Sequence, residues 1–125
     1  PGKHEMNKKY AGEFLNDKPL QMYGANVIKL DTKGKKTAKV KFTGTNKEDG
    51  YAYRLVAVNG NAEATYSEIL TKQKGTVKLD LPADTKDVYL VVTGYPLGEY
   101  KPANFNPYRR QGKAEEPHVY TYNIK

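Results

Sequence analysis

The chain has 125 residues, no cysteine and a formal net charge of +7. That length suits one domain around a single core, and the composition excludes a disulfide framework, a thiolate nucleophile and a cysteine-ligated zinc. No run reaches the ~20 apolar residues of a membrane-spanning helix, and the positive excess calls for either an anionic partner or a well-solvated basic face.

In chain order, the first segment with a pattern is "HEMNKKYAGEFLNDK" (4–18), which alone has a helical look, weakened by Gly12. Strand-like runs follow at 22–30, 36–44, 51–59, 62–70, 76–81, 87–95 and 118–125, close to the ~8–12-residue spacing expected of a sandwich. Tyrosine, threonine and valine, residues that suit a pleated half-buried surface, dominate these runs. Val77, Leu79 and Leu81 alternate with Thr76, Lys78 and Asp80, and Tyr120, Tyr122 and Ile124 alternate with Thr121, Asn123 and Lys125, so each run has one wet face. "YRLVAV" and "VYLVV" are apolar on both faces and read as central, covered strands. Asn59-Gly60 reads as the left-handed pair of a two-residue type I′ hairpin. The expected architecture is one all-β domain over 1–125: an antiparallel β-sandwich of about seven strands, jelly-roll or immunoglobulin-like, with a short N-terminal helix as an option. The chain begins at Pro1 with no charged-then-apolar leader, and reads as a mature or excised piece of a larger protein.

Catalytic chemistry is sparse. Ser67 is the only serine, and it stands mid-strand without the glycines of a nucleophile elbow; a triad would have to recruit His4 or His118, and no spacing supports one. "HEMNK" begins like a zinc-protease helix, but Lys8 stands where the second metal ligand belongs. Glu99, Glu115 and Glu116 are the carboxylates available for glycoside hydrolysis, and the adjacent pair is more simply a solvated loop. No phosphate-binding glycine loop occurs, and no cofactor is expected. A structural calcium would need oxygens near Asp31, Asp49, Asp84 or Asp87 to converge. The chain reads as non-enzymatic.

Two stretches have a binding composition. The first is "GYPLGEYKPANFNPYRRQG" (94–112), where Tyr95, Tyr100, Phe105 and Tyr108 offer stacking faces, and Asn104, Arg109 and Gln111 offer polar contacts, a mixture suited to a sugar. A loop of this length equally caps the end of a core with its own aromatics. The second is "TKGKKTAKVKFTG", whose Lys35, Lys36, Lys39 and Lys41 form either an anion-binding face or a solvated one, with lysines that also guard an edge strand. Single-stranded nucleic acid is disfavoured, because lysines and tyrosines fall in different segments.

The stretch from "YAYRLVAVNGNAEATYSEIL" through "LVVTGYP" to "EEPHVYTYNIK" resembles the C-terminal β-sandwich of a poorly characterised family of large secreted or surface proteins of Bacteroidetes-type bacteria. The likeness covers roughly residues 50–125 and is carried by Tyr53-Arg54, Asn59-Gly60, Tyr66-Ser67, Gly75 with Pro82, Leu90 to Pro96, and Pro117 with Tyr120. It implies a secreted or surface location and an accessory role: binding a glycan or glycoprotein, or supporting a neighbouring catalytic domain of the same polypeptide. The 94–112 loop departs from the family pattern, so no ligand site carries over through it.

Overall fold

A computed structural model describes residues 2–7, 26–96 and 119–125. These form eight strands: β1 (Gly2–Asn7), β2 (Asn26–Leu30), β3 (Thr37–Gly44), β4 (Asp49–Asn59), β5 (Ala64–Tyr66), β6 (Lys74–Asp80), β7 (Thr85–Pro96) and β8 (Val119–Ile124). Among the described residues there is no helix. The helical expectation for 4–18 therefore fails at its start: residues 4–7 pair with β8, with His4 opposite Tyr122 and Met6 opposite Tyr120. Residues 8–18 lie outside the described residues.

Two four-stranded antiparallel sheets form, in the orders β1-β8-β3-β6 and β2-β7-β4-β5. The pairs β1·β8, β2·β7, β3·β6 and β4·β5 are the rungs of one long antiparallel ribbon, and β3·β8 and β4·β7 are the contacts made when that ribbon rolls up. This is the strand order of an eight-stranded jelly roll, which decides between the two sandwich types. The doubly apolar runs lie where expected: β4 and β7 are the inner strands of the second sheet. The lysine-rich β3 is also an inner strand, between β8 and β6, so its lysines are not guarding an edge.

The core lies between the sheets. β3 supplies Ala38, Val40 and Phe42, β6 Val77 and Leu79, and β8 Tyr120, Tyr122 and Ile124; facing them are Tyr51, Tyr53, Leu55 and Ala57 of β4 with Val88, Leu90 and Val92 of β7. Phe42 is the hub, stacked on Tyr53 at 4.0 Å and on Tyr122 at 5.1 Å, with Tyr51 edge-on at 5.4 Å. Such pairs add about 0.5–1.5 kcal/mol beyond burial. Three of these phenols reach partners at the edge of the core: Tyr51 donates to the Thr121 carbonyl, Tyr53 donates to the Lys72 carbonyl, and Tyr122 accepts from the Asn26 amide. The tyrosine-rich composition thus serves an inter-sheet core whose hydroxyls reach the backbone or a polar side chain at its rim.

The turns depart from expectation at one place. Asn59 and Glu63 close a three-residue loop, in which the Ala62 amide donates to the Asn59 carbonyl. Ala62, with φ +61°, occupies the left-handed position, and Gly60 does not. Asn59 acts through its side chain instead: its Oδ1 accepts from the amides of Asn61 and Glu63. The left-handed pair lies at Lys33-Gly34 (φ 49° and 74°), spanned by the Lys35 amide donating to the Thr32 carbonyl.

Candidate functional site

Alternation along the three strands β8, β3 and β6 sends one set of side chains into the core and the other outward. The outward set is Thr37, Lys39, Lys41 and Thr43 from β3, Lys74, Thr76, Lys78 and Asp80 from β6, and Thr121 and Asn123 from β8, with Lys125 following. β1 adds Lys3 and Glu5 beyond β8. Among the described residues, six lysines thus share the outer face of the first sheet with two side-chain carboxylates, Glu5 and Asp80, and Asp80 accepts from the Thr37 hydroxyl.

Register brings like charges together. Lys39 is directly opposite Lys78, at a position between the hydrogen-bonded pairs of that ladder, where antiparallel backbones approach most closely. On the other side of β3, Lys41 and Lys125 exchange both backbone hydrogen bonds, at 3.3 and 3.0 Å. Like charges directly opposite on one sheet face are destabilising by roughly 0.2–1 kcal/mol each. Lys29 pairs with Asp87, 3.2 Å apart on the other sheet; among the described residues no carboxylate lies within ion-pair distance of Lys39, Lys41, Lys74, Lys78 or Lys125.

Between Lys41, Lys74 and Lys125 is a hollow of about 740 Å³, with Thr43, Thr76 and Asn123 and the backbone stretches at Phe42 and Gly75 completing its lining. The side-chain polar atoms of Thr43, Thr76 and Asn123 make no hydrogen bond with the described protein, so they are available to a ligand. A second hollow, of about 540 Å³, opens where β2 faces the start of β3, with Ile28, Leu30 and Val40 in its wall and Lys29, Lys35 and Lys39 among its lining residues.

The sequence candidates fall out unevenly. Lys39 and Lys41 lie on the outer face, Lys35 lines the second hollow, and Lys36 is exposed just before β3. Tyr95 is in β7, opposite Gly50, while Tyr100, Asn104, Phe105, Tyr108, Arg109 and Gln111 lie outside the described residues. Sequence reasoning missed Lys74, Lys78 and Lys125 as members of the same face. Their signal was present as the wet half of each alternating run, but no sequence pattern places three runs side by side in the order β8-β3-β6.

Of the side chains weighed for catalysis, Ser67 and His4 are engaged structurally, and His118, Glu99, Glu115 and Glu116 lie outside the described residues. Ser67 is buried, its Oγ accepting from the Leu55 amide and donating to the Glu68 carbonyl, both at 2.8 Å. It bridges the segment after β5 to β4, and Arg54 reaches the Ser67 carbonyl at 2.7 Å while lying over the Tyr66 ring. His4 stacks on Tyr122 with ring centroids 5.4 Å apart, and burial lowers its pKa below the usual histidine value. Among the described residues no three metal-ligating side chains gather: Asp31 accepts from the Lys33 amide, Asp84 from the Asn59 amide group, and Asp87 pairs with Lys29. No helix among the described residues is long and apolar enough to cross a membrane.

A family model described as a family of unknown function, DUF6055, matches residues 3–125, and the chain belongs to that family. No curated protein and no solved structure matches the chain.

Proposed function

We propose that this member of DUF6055 is a binding module that holds a linear polyanion along the lysine face of its first sheet. The observation that carries the reading is the pair of like-charged contacts, Lys39 opposite Lys78 and Lys41 opposite Lys125, on a face with six lysines and two carboxylates. A merely solvated face has no need to put cations directly opposite one another on two adjacent ladders, since each such contact weakens the sheet. An anion lying across the strands turns both repulsions into attraction. The engaged hydroxyl of Ser67 and the threonine-lined floor of the hollow accord with binding rather than bond-breaking chemistry.

The test is retention on an immobilised polyanion, inorganic polyphosphate, as a function of salt. Electrostatic binding weakens steeply with ionic strength. Wild type is expected to be held at low salt, and a Lys39→Ser/Lys41→Ser/Lys78→Ser variant to elute much earlier with an undiminished urea midpoint. Identical elution of the two proteins would overturn the reading.

A further inference from the structure

We infer that the polyanion taken by this face is an acidic polysaccharide, with one anionic sugar unit seated in the hollow between Lys41, Lys74 and Lys125. This inference rests on the polyanion reading above and names the ligand class.

Three features of the hollow separate the polyanion classes. The first is what stands between the charges. Thr43, Thr76 and Asn123 intersperse the three lysines, with hydroxyl and amide groups that no partner among the described residues engages. A sugar chain offers hydroxyls that both donate and accept, so it can satisfy all three side chains. A polyphosphate offers acceptors alone, and cannot donate to the amide oxygen of Asn123.

The second is what the outer face lacks. Proteins that hold single-stranded nucleic acid interleave aromatic platforms with cations. Arginine suits bidentate recognition of carboxylate and phosphate alike, so its absence leaves recognition of the anion to point charges. The outward positions of β8, β3 and β6 carry neither an aromatic ring nor an arginine; they carry threonine, asparagine, Val119, Asp80 and lysine. Lysine is a point charge on a flexible stem that satisfies a sulfate or carboxylate without a fixed angle.

The third is shape. The three lysines lie on β3, on β6 and just past the end of β8, and two strand spacings make a footprint roughly 10 Å across. At about 740 Å³ the hollow lies within the range of sites that take small organic groups, ~300–1,000 Å³. On the same face, one outward position beyond Lys41 and Thr76, the facing pair Lys39 and Lys78 is available to the next anionic unit along the chain.

The experiment is a binding titration at matched low salt with dextran sulfate, polygalacturonate, neutral dextran, polyphosphate and poly(dT). Wild type is expected to prefer dextran sulfate and polygalacturonate, and to leave neutral dextran unbound. A Thr43→Val/Thr76→Val variant keeps every charge and the branched shape that strands favour. It is expected to lose roughly fivefold to tenfold in affinity for both glycans, the effect of removing one or two ligand hydrogen bonds, and to lose less on polyphosphate, which can accept from the threonine hydroxyls but cannot donate to them. The Thr43→Ser/Thr76→Ser variant should restore glycan binding. If polyphosphate or poly(dT) binds wild type as tightly as the glycans, or if the valine variant loses all polyanions equally, the polysaccharide assignment falls and the polyanion reading stands. If wild type binds none of the charged polymers, both fall.

Discussion

The ring of Tyr51 fills the space where a side chain at residue 44 would stand: a Cβ on Gly44 would meet three ring carbons, none farther than 2.7 Å. The relationship is repeated in reverse, because a Cβ on Gly94 would meet three carbons of Tyr120, again none beyond 2.7 Å. Tyr51 and Gly94 are themselves cross-strand partners in the second sheet. Each sheet therefore presents a glycine gap to a tyrosine of the other, and the two halves of the jelly roll are keyed together. Gly44→Ala is expected to destabilise the fold by about 2–3 kcal/mol, since neither a buried ring nor an inner strand can yield that far. A urea midpoint measures it, and Tyr51→Leu in the same chain should recover part of the loss through a coupling that a double-mutant cycle detects.

Ala62 holds a left-handed backbone at φ +61°, a conformation that an L-residue with a Cβ adopts at a cost of roughly 1–2 kcal/mol. Ala62→Gly should therefore stabilise the protein by about 0.5–1 kcal/mol, net of glycine's greater freedom when unfolded. A lowered urea midpoint would contradict this.

Burial lifts the Tyr53 and Tyr122 phenols to about 12. In the unfolded chain these groups ionise near pH 10. Their contribution is thus complete below about pH 10 and is lost as pH rises through about 12, because the unfolded state releases the protons first. Denaturant midpoints should fall across that window, with phenolate absorbance of the two rings appearing together with unfolding. Replacement of both residues by phenylalanine should flatten the alkaline dependence and lower stability at neutral pH, leaving the Lys72 carbonyl and the Asn26 amide without their phenol partners.

His4 works in the opposite direction. Burial against Tyr122 lowers its pKa from the ordinary 6.5, so the unfolded chain takes up the proton first as pH falls. Its contribution is complete above about pH 6.5 and declines on acidification below it. A His4→Phe variant keeps the stack and removes this titration; its stability should depend less steeply on pH below about 6.5 than that of wild type.

Lys78→Glu places an acid opposite Lys39. It should raise the denaturation midpoint slightly, by roughly 0.2–1 kcal/mol, while weakening retention on polyphosphate. Gain of stability with loss of binding is the pattern of a site held at the fold's expense. Unchanged stability would mean that the two ammonium groups already splay apart in solvent.

Much of this protein could be read from alternation alone. A period of two in "TAKVKF", "TVKLDL" and "VYTYNI" assigns inner and outer faces strand by strand, because a pleated chain has no other way to bury half its side chains. Runs without alternation, "YRLVAV" and "VYLVV", identified the inner strands of the second sheet for the same reason. The N-terminal strand escaped notice because Lys3 and Glu5 flank a histidine whose burial depends on a ring 118 residues away in the chain, Tyr122. The Asn59-Gly60 turn was misread because Asn59 caps the loop with its side chain, which moves the left-handed residue on to Ala62.

The sequence by itself determined the all-β class, the faces of each strand and a basic stretch around Lys39 and Lys41. Tertiary structure decided that β3 is flanked by β8 and β6, and so that Lys39 meets Lys78 and Lys41 meets Lys125. Local pattern specifies which side of a strand is wet. Which wet sides become neighbours follows from rolling the long ribbon shut, a contact between residues as far apart as 41 and 125 that no local preference encodes.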